Sequence, residues 1–68
     1  MNFYNEKFYI HMQSLPKGHY TRIRDELCEF MKWSLQQYYR RVTGVVRIKY
    51  QERVLIETFF QKKIFKIE

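Results

Sequence analysis

The chain has 68 residues, room for one small domain but not for a nucleotide-binding domain beside a substrate domain, or for a deep enzyme cleft with its own lid. Its composition is 46% hydrophobic and 19% aromatic with only two Gly and one Pro, which excludes a linker or a disordered tail. Thirteen Lys and Arg against seven Asp and Glu leave a charge of +6, which favours a polyanionic partner, nucleic acid or an anionic membrane surface, over a merely solubilising surface.

The first predicted element is a helix from about Asn5 to Ser14. Asn5 serves as its N-cap, and Glu6 stands in the first turn, where a carboxylate suits the helix dipole. Tyr4, Phe8, Met12 and Leu15 recur at steps of four and three and share one face. Pro16 ends the segment by disfavouring helical geometry at Leu15. The alternation in Phe8-Tyr9-Ile10 leaves a strand open. Ser14 to Gly18 is a turn, and a second helix follows from His19 to Lys32. Its apolar positions are Tyr20, Ile23, Leu27, Phe30 and Met31, and its other face carries Arg22, Asp25, Glu26 and Glu29. Arg22 and Glu26 form the attractive pair at a spacing of four.

Lys32-Trp33-Ser34 connects this helix to a third, predicted from Leu35 to Thr43 with Ser34 as its cap. Leu35, Tyr38, Tyr39 and Val42 form the inner stripe, while Gln36, Gln37, Arg40 and Arg41 face away. Gly44 stands where a C-terminal glycine accepts a left-handed conformation. Beyond it Val46, Ile48 and Tyr50 alternate with Arg47 and Lys49 in a strand-like pattern. Val54 to Phe60 fits a short helix at spacings of four but is also rich in strand-forming residues, so 45–60 is open between a strand or wing and a helix. In the tail, Phe65 and Ile67 lie on one side of a short strand. The fold class expected is mostly α: residues 1–68 form a single bundle of about four helices, with a β segment after Gly44 or at the C-terminus left open.

Two helices joined by about three residues and followed by a glycine give the helix-turn-helix layout. Such a motif needs a second helix that is apolar beneath and offers long hydrogen-bonding side chains outward, toward base edges in the major groove. Leu35 to Thr43 meets that requirement. No Asp or Glu occurs from Lys32 to Gln51, a stretch that carries Lys32, Arg40, Arg41, Arg47 and Lys49. The base-reading candidates are Gln36, Gln37, Arg40 and Arg41. The phosphate-contact candidates are Lys32, Ser34, Thr43, Arg47 and Lys49. For Arg47 and Lys49 the plainer reading is a charged, solvated edge strand, and for the helix face it is ordinary solvation.

The segment Glu26 to Gly44 resembles the helix-turn-helix of Cro- and lambda-repressor-like regulators. Leu27 and Met31 match apolar positions of that family's first helix, and Cys28 stands where it has a small alanine. Trp33 takes the apolar turn position and Ser34 the capping serine. Tyr38 and Val42 take inner positions, and Thr43-Gly44 stand in for Asn-Gly. The resemblance implies that Gln36, Gln37, Arg40 and Arg41 are readers and that Arg53 to Gln61 matches a later core helix. Lys32 replaces the family's turn glycine, so the turn requires a left-handed residue there at some cost, or another shape. The closest likeness is to very small regulators of bacteria and their mobile elements or phages.

Other chemistry is weakly represented. His11 and His19 lack the partners and spacing of a metal site, and no cofactor is expected. Cys28, the lone cysteine, excludes an internal disulfide and reads as a small core residue without a paired base. Lys17 and His19 are read as a capping turn rather than a phosphate site. The N-terminal residues lack the pattern of a signal peptide, and no stretch approaches ~18 apolar residues, so a cytoplasmic protein is expected. The expected function is sequence-specific binding of double-stranded DNA, as a small transcription regulator and not an enzyme, without a small-molecule substrate or membrane. The surplus of aromatics suits a homodimer interface or base stacking. The rival reading is a phage or mobile-element protein-interaction module that binds a host protein through exposed aromatics. A membrane-surface protein ranks below it, because the helices are short.

Overall fold

A computed structural model of the chain describes residues 2–66. They form four helices: α1, Phe3–Gln13; α2, Tyr20–Met31; α3, Leu35–Val42; and α4, Tyr50–Phe60. There is no strand among the described residues. The mostly α bundle expected from the periodicities is therefore the fold, and neither open β segment forms among the described residues.

The predicted stripe of α1 faces the core. Phe8 and Met12 are fully buried, and Tyr4 and Leu15 pack at the edge of the same cluster. The alternation at Phe8 to Ile10 is overridden by this helical stripe. The helix starts earlier than expected. Asn2 is its N-cap, and its side chain accepts a hydrogen bond from the Tyr4 amide at 2.9 Å. Asn5 is not a cap. It is fully buried, and its Nδ2 donates to the carbonyls of Arg41 at 2.7 Å and Val46 at 2.8 Å.

α2 contributes Leu27 and Cys28 to the core and keeps Phe30 at the surface. Burial pushes the Cys28 thiol up, away from the reactive thiolate. The helix ends with Lys32 in the left-handed region, at φ 60° and ψ 39°. Trp33 then donates its amide to the Cys28 carbonyl at 2.9 Å, which closes a Schellman-type end without glycine. α4 ends in the same way: Gln61 takes φ 53°, and Lys62 donates to the Glu57 carbonyl at 3.2 Å.

Aromatic edges join the helices. Phe8 of α1 meets Tyr38 of α3 at 5.9 Å and Trp33 at 6.3 Å, both edge-on. Phe30 of α2 lies 5.4 Å from Phe59 of α4. Tyr38, fully buried, shares a 2.8 Å hydroxyl hydrogen bond with Tyr20, which satisfies both polar tips inside the core. Burial and then this bond hold the Tyr38 hydroxyl far above its usual pKa.

The segment 45–49 differs from the strand-like reading for a definable reason. Gly44 turns the chain at φ 85°. The Val46 amide donates to the Arg40 carbonyl at 3.0 Å, and the Val46 carbonyl accepts from Asn5. The groups that a neighbouring strand would need are already occupied. Ile48 is buried as a single anchor and Arg53 donates to its carbonyl at 2.8 Å. Tyr50 then opens α4, four residues before the expected start at Val54. In the tail, Phe65 is buried against Tyr4 at 6.2 Å but in irregular structure rather than a strand. Ile67, the other half of that expected strand, lies outside the described residues.

Candidate nucleic-acid interface

α3 is a helix of eight residues held at both ends by its own chemistry. At the start, the Ser34 hydroxyl accepts from the Gln37 amide at 3.2 Å, and the Gln37 Oε1 accepts from the Ser34 amide at 2.8 Å. This is a capping box, with Gln in the position that more often holds Glu. At the far end, Asn5 of α1 holds the Arg41 carbonyl and Thr43 donates its hydroxyl to the Tyr39 carbonyl at 2.6 Å. Underneath, Tyr38 and Val42 are buried. A short helix is marginal alone, so these ties and this burial keep it formed.

Its outward face differs in part from the expected one. Leu35 and Tyr39, expected inside, are 46% and 42% exposed. They join Gln36, Arg40 and Thr43 on one continuous strip, because 35, 36, 39, 40 and 43 are neighbours on a helix. The Tyr39 hydroxyl is steadied by a hydrogen bond from Arg24 at 3.1 Å. Period alone places Leu35 and Tyr39 with Tyr38. The packing of α1 and α2 on α3, with Phe8 and Tyr20 both meeting Tyr38, decides which part of the apolar arc is covered. Leu35 and Tyr39 are the contact candidates that sequence reasoning missed.

The four base-reading candidates fall into three groups. Gln36 and Arg40 are exposed, and no acidic side chain pairs with Arg40 among the described residues. Gln37 is exposed, but its carbonyl oxygen is committed to the capping box, so only its NH2 remains to donate. Arg41 points inward. Its guanidinium meets Glu52 Oε2 at 2.9 and 3.1 Å, donates to the Gln37 carbonyl at 3.0 Å and lies 4.7 Å over the Trp33 ring. The two side chains of that pair are 12% and 16% exposed. Burial pushes the Glu52 carboxyl up, but the Lys49 amide and the Arg41 guanidinium outweigh it, and the group sits below the usual carboxylate range.

Of the phosphate candidates, Thr43 belongs to the strip, and Lys32, Ser34, Arg47 and Lys49 lie before and after α3 in the chain. Lys32, Ser34, Thr43, Arg47 and Lys49 are all exposed. Ser34 accepts in the cap and keeps its own proton to donate. Thr43 spends its proton on the Tyr39 carbonyl and keeps acceptor capacity only. Arg47 and Lys49 project from an irregular loop and not from a wing, since the segment forms no strand. The Lys49 amide donates to Glu52 Oε1 at 3.0 Å, which fixes its backbone at the start of α4.

One acid, Asp25, is linked to the strip through Arg24, which also donates to Tyr39. Asp25, Glu26 and Glu29 lie exposed on α2, where Arg22 meets Glu26 at 3.2 Å and Arg24 meets Asp25 at 2.9 Å. Glu52 is absorbed by Arg41. No group of three metal-ligating side chains occurs among the described residues, and none of their helices is long and apolar enough to cross a membrane.

Neither a family model, nor a curated protein, nor a solved structure matches this chain significantly.

Proposed function

We propose that the protein binds double-stranded DNA sequence-specifically, as a small transcription regulator of helix-turn-helix type, with α3 as the helix that enters the major groove. The observation that carries this reading is the exposed strip of α3, with Gln36 and Arg40 unoccupied on it, and with exposed Lys32, Arg47 and Lys49 before and after the helix, none of them in an ion pair among the described residues. Gln and Arg are the side chains that pair with adenine and guanine edges, and apolar groups such as Leu35 contact the thymine methyl. The left-handed Lys32 and the Ser34 cap give the turn the backbone that the Cro-like resemblance requires, with lysine in place of glycine. In this reading Gln36 and Arg40 are the principal readers, Gln37 contributes its NH2, and Arg41 is the brace that holds α3 against α4.

An eight-residue helix covers few base pairs. Two copies bound about one helical turn apart would supply the usual two half-sites, so a homodimer on DNA belongs to the proposal. A cytoplasmic location follows from a DNA target and is proposed with it. No catalysis is assigned.

Fluorescence anisotropy on duplexes enriched from a random pool, compared with an unselected duplex, tests this reading. The expected outcome is tighter binding to the enriched duplex and affinity that falls steeply with salt. Equal affinity for both duplexes, or no binding at low salt, would overturn it. Retention of a protein partner at high salt with no DNA binding would favour the interaction-module reading instead.

A further inference from the structure

A second cationic surface lies along α4 and the C-terminal segment. A groove runs between α4, Tyr4 of α1 and the C-terminal segment, and its lining includes Tyr50, Arg53, Lys62, Lys63 and Lys66. The acid in it is Glu57, one negative charge against Arg53 and three lysines, and its carboxylate anchors the arm. Its Oε2 accepts the amides of Ile64 at 2.9 Å and Phe65 at 3.0 Å. With Phe65 buried against Tyr4, these bonds hold the segment 64–65 in place beside α4. The lysines on either side are therefore carried on an anchored arm. Arg53 is tied to the Ile48 carbonyl and lies 3.8 Å over the Tyr4 ring, which places a fixed positive charge on the groove wall. Tyr50 stands at the mouth, 68% exposed.

Tyr50 follows Lys49 directly, so the mouth of the groove adjoins the loop that carries Arg47 and Lys49. The whole molecule spans 30 × 23 × 19 Å. That is less than one turn of B-DNA, about 34 Å. A backbone that meets Lys49 beside α3 is within reach of Tyr50 and the lysine arm.

We infer that the groove between α4 and the C-terminal arm is a second phosphate-backbone contact, which carries the duplex past the segment read by α3. The inference rests on the DNA-binding reading above. Lys62, Lys63 and Lys66 neutralise phosphates, and the Tyr50 hydroxyl donates to one. These contacts add affinity at every sequence and carry no base information.

The test compares two doubly substituted proteins of equal charge. One is Lys62→Gln/Lys63→Gln in the arm. The other is Lys7→Gln/Lys17→Gln, at positions that line neither surface. Circular dichroism verifies that both fold. Binding to the enriched and the unselected duplex is followed across a salt series. Each lost phosphate contact lowers the slope of log K against log salt by roughly 0.9. The inference expects the arm protein to lose a slope of about two on both duplexes, with the preference between them unchanged, and the control pair to keep the wild-type slope. Equal slopes for the arm and control proteins would overturn the groove contact while leaving the α3 reading intact. A change of duplex preference in the arm protein would also overturn it, since the groove would then read bases. Failure of the wild-type protein to bind either duplex would sink both readings together.

Discussion

Lys32 holds a left-handed backbone at φ 60°, a conformation that costs a side chain with a Cβ roughly 1–2 kcal/mol and glycine almost nothing. Lys32→Gly is expected to stabilise the fold by about 0.5–1 kcal/mol, part of the relief being offset by the entropy of an unfolded glycine. Thermal unfolding checks this, with a rise in midpoint of several degrees expected, and the same protein should bind DNA more weakly because a phosphate contact is gone. Asn5 presents the opposite case. Its Nδ2 holds two carbonyls that lie 36 and 41 positions away in the chain. Asn5→Leu leaves both carbonyls buried without that donor, at a cost of about 2–4 kcal/mol in denaturant unfolding. The contrast shows what a sequence reading reaches at this scale. The strained turn at Lys32 and the Ser34 cap are visible because their causes lie within a few residues. Asn5 reads as a cap because a polar residue near a helix start usually is one, and only the long-range packing of α1 on α3 reveals its other use. His11 belongs here too. Burial, and then the charge of Lys62, lowers its pKa below 6.5, and its Nε2 has no hydrogen-bond partner. The unfolded chain therefore takes up the proton first as the pH falls below 6.5. Stability falls with it, and the loss is complete below the folded-state pKa. Urea unfolding between about pH 7.5 and about 5.5 should show that slope, and His11→Leu should flatten it.

The brace between Arg41 and Glu52 links α3 to α4, and it decides an element-scale prediction. Arg41→Ala leaves the largely buried Glu52 carboxylate without its partner and removes the stack on Trp33. A loss of roughly 2–4 kcal/mol is expected in chemical unfolding. Any fall in DNA affinity should follow the fraction unfolded rather than the sequence of the duplex. Because the folded Glu52 carboxyl sits below its ordinary 4.5, its contribution is present above that pH and is lost as the pH drops through the lower folded value. Arg41 carries the same side chain as Arg40, and nothing local separates them. Their roles part because α4 begins at Tyr50 and brings Glu52 beneath Arg41. The helices α1 to α3 are legible from their stripes and punctuation. α4 is less so, because its first turn, Tyr50 to Arg53, holds one fully apolar position at most and its preceding loop alternates like a strand. The early start is set by the Glu52 carboxylate on the Lys49 amide and by Ile48, buried in the core. Neither tie has a periodic signature.

Across the whole molecule, the charge of +6 is not spread evenly. Asp25, Glu26 and Glu29 lie on α2 and Glu6 is exposed on α1, while Glu52 pairs with Arg41 and Glu57 accepts two backbone amides of the arm. Arg40 and Arg47 around α3, and Lys62 and Lys63 in the C-terminal arm, form no ion pair among the described residues. That separation could be read only in part from the chain: the acid-free run from Lys32 to Gln51 is visible, but the pairing of Glu52 with Arg41 and the tie of Glu57 to the backbone of the arm require the fold. The central claim is that the outer strip of α3 reads bases. It is tested most directly by measuring Arg40→Ala and Gln36→Ala on the enriched duplex and on an unselected one at the same salt. Each substitution is expected to cost roughly 1–3 kcal/mol on the enriched duplex and much less on the other, so that the preference collapses. An unchanged preference in both proteins, with folding intact, would contradict it.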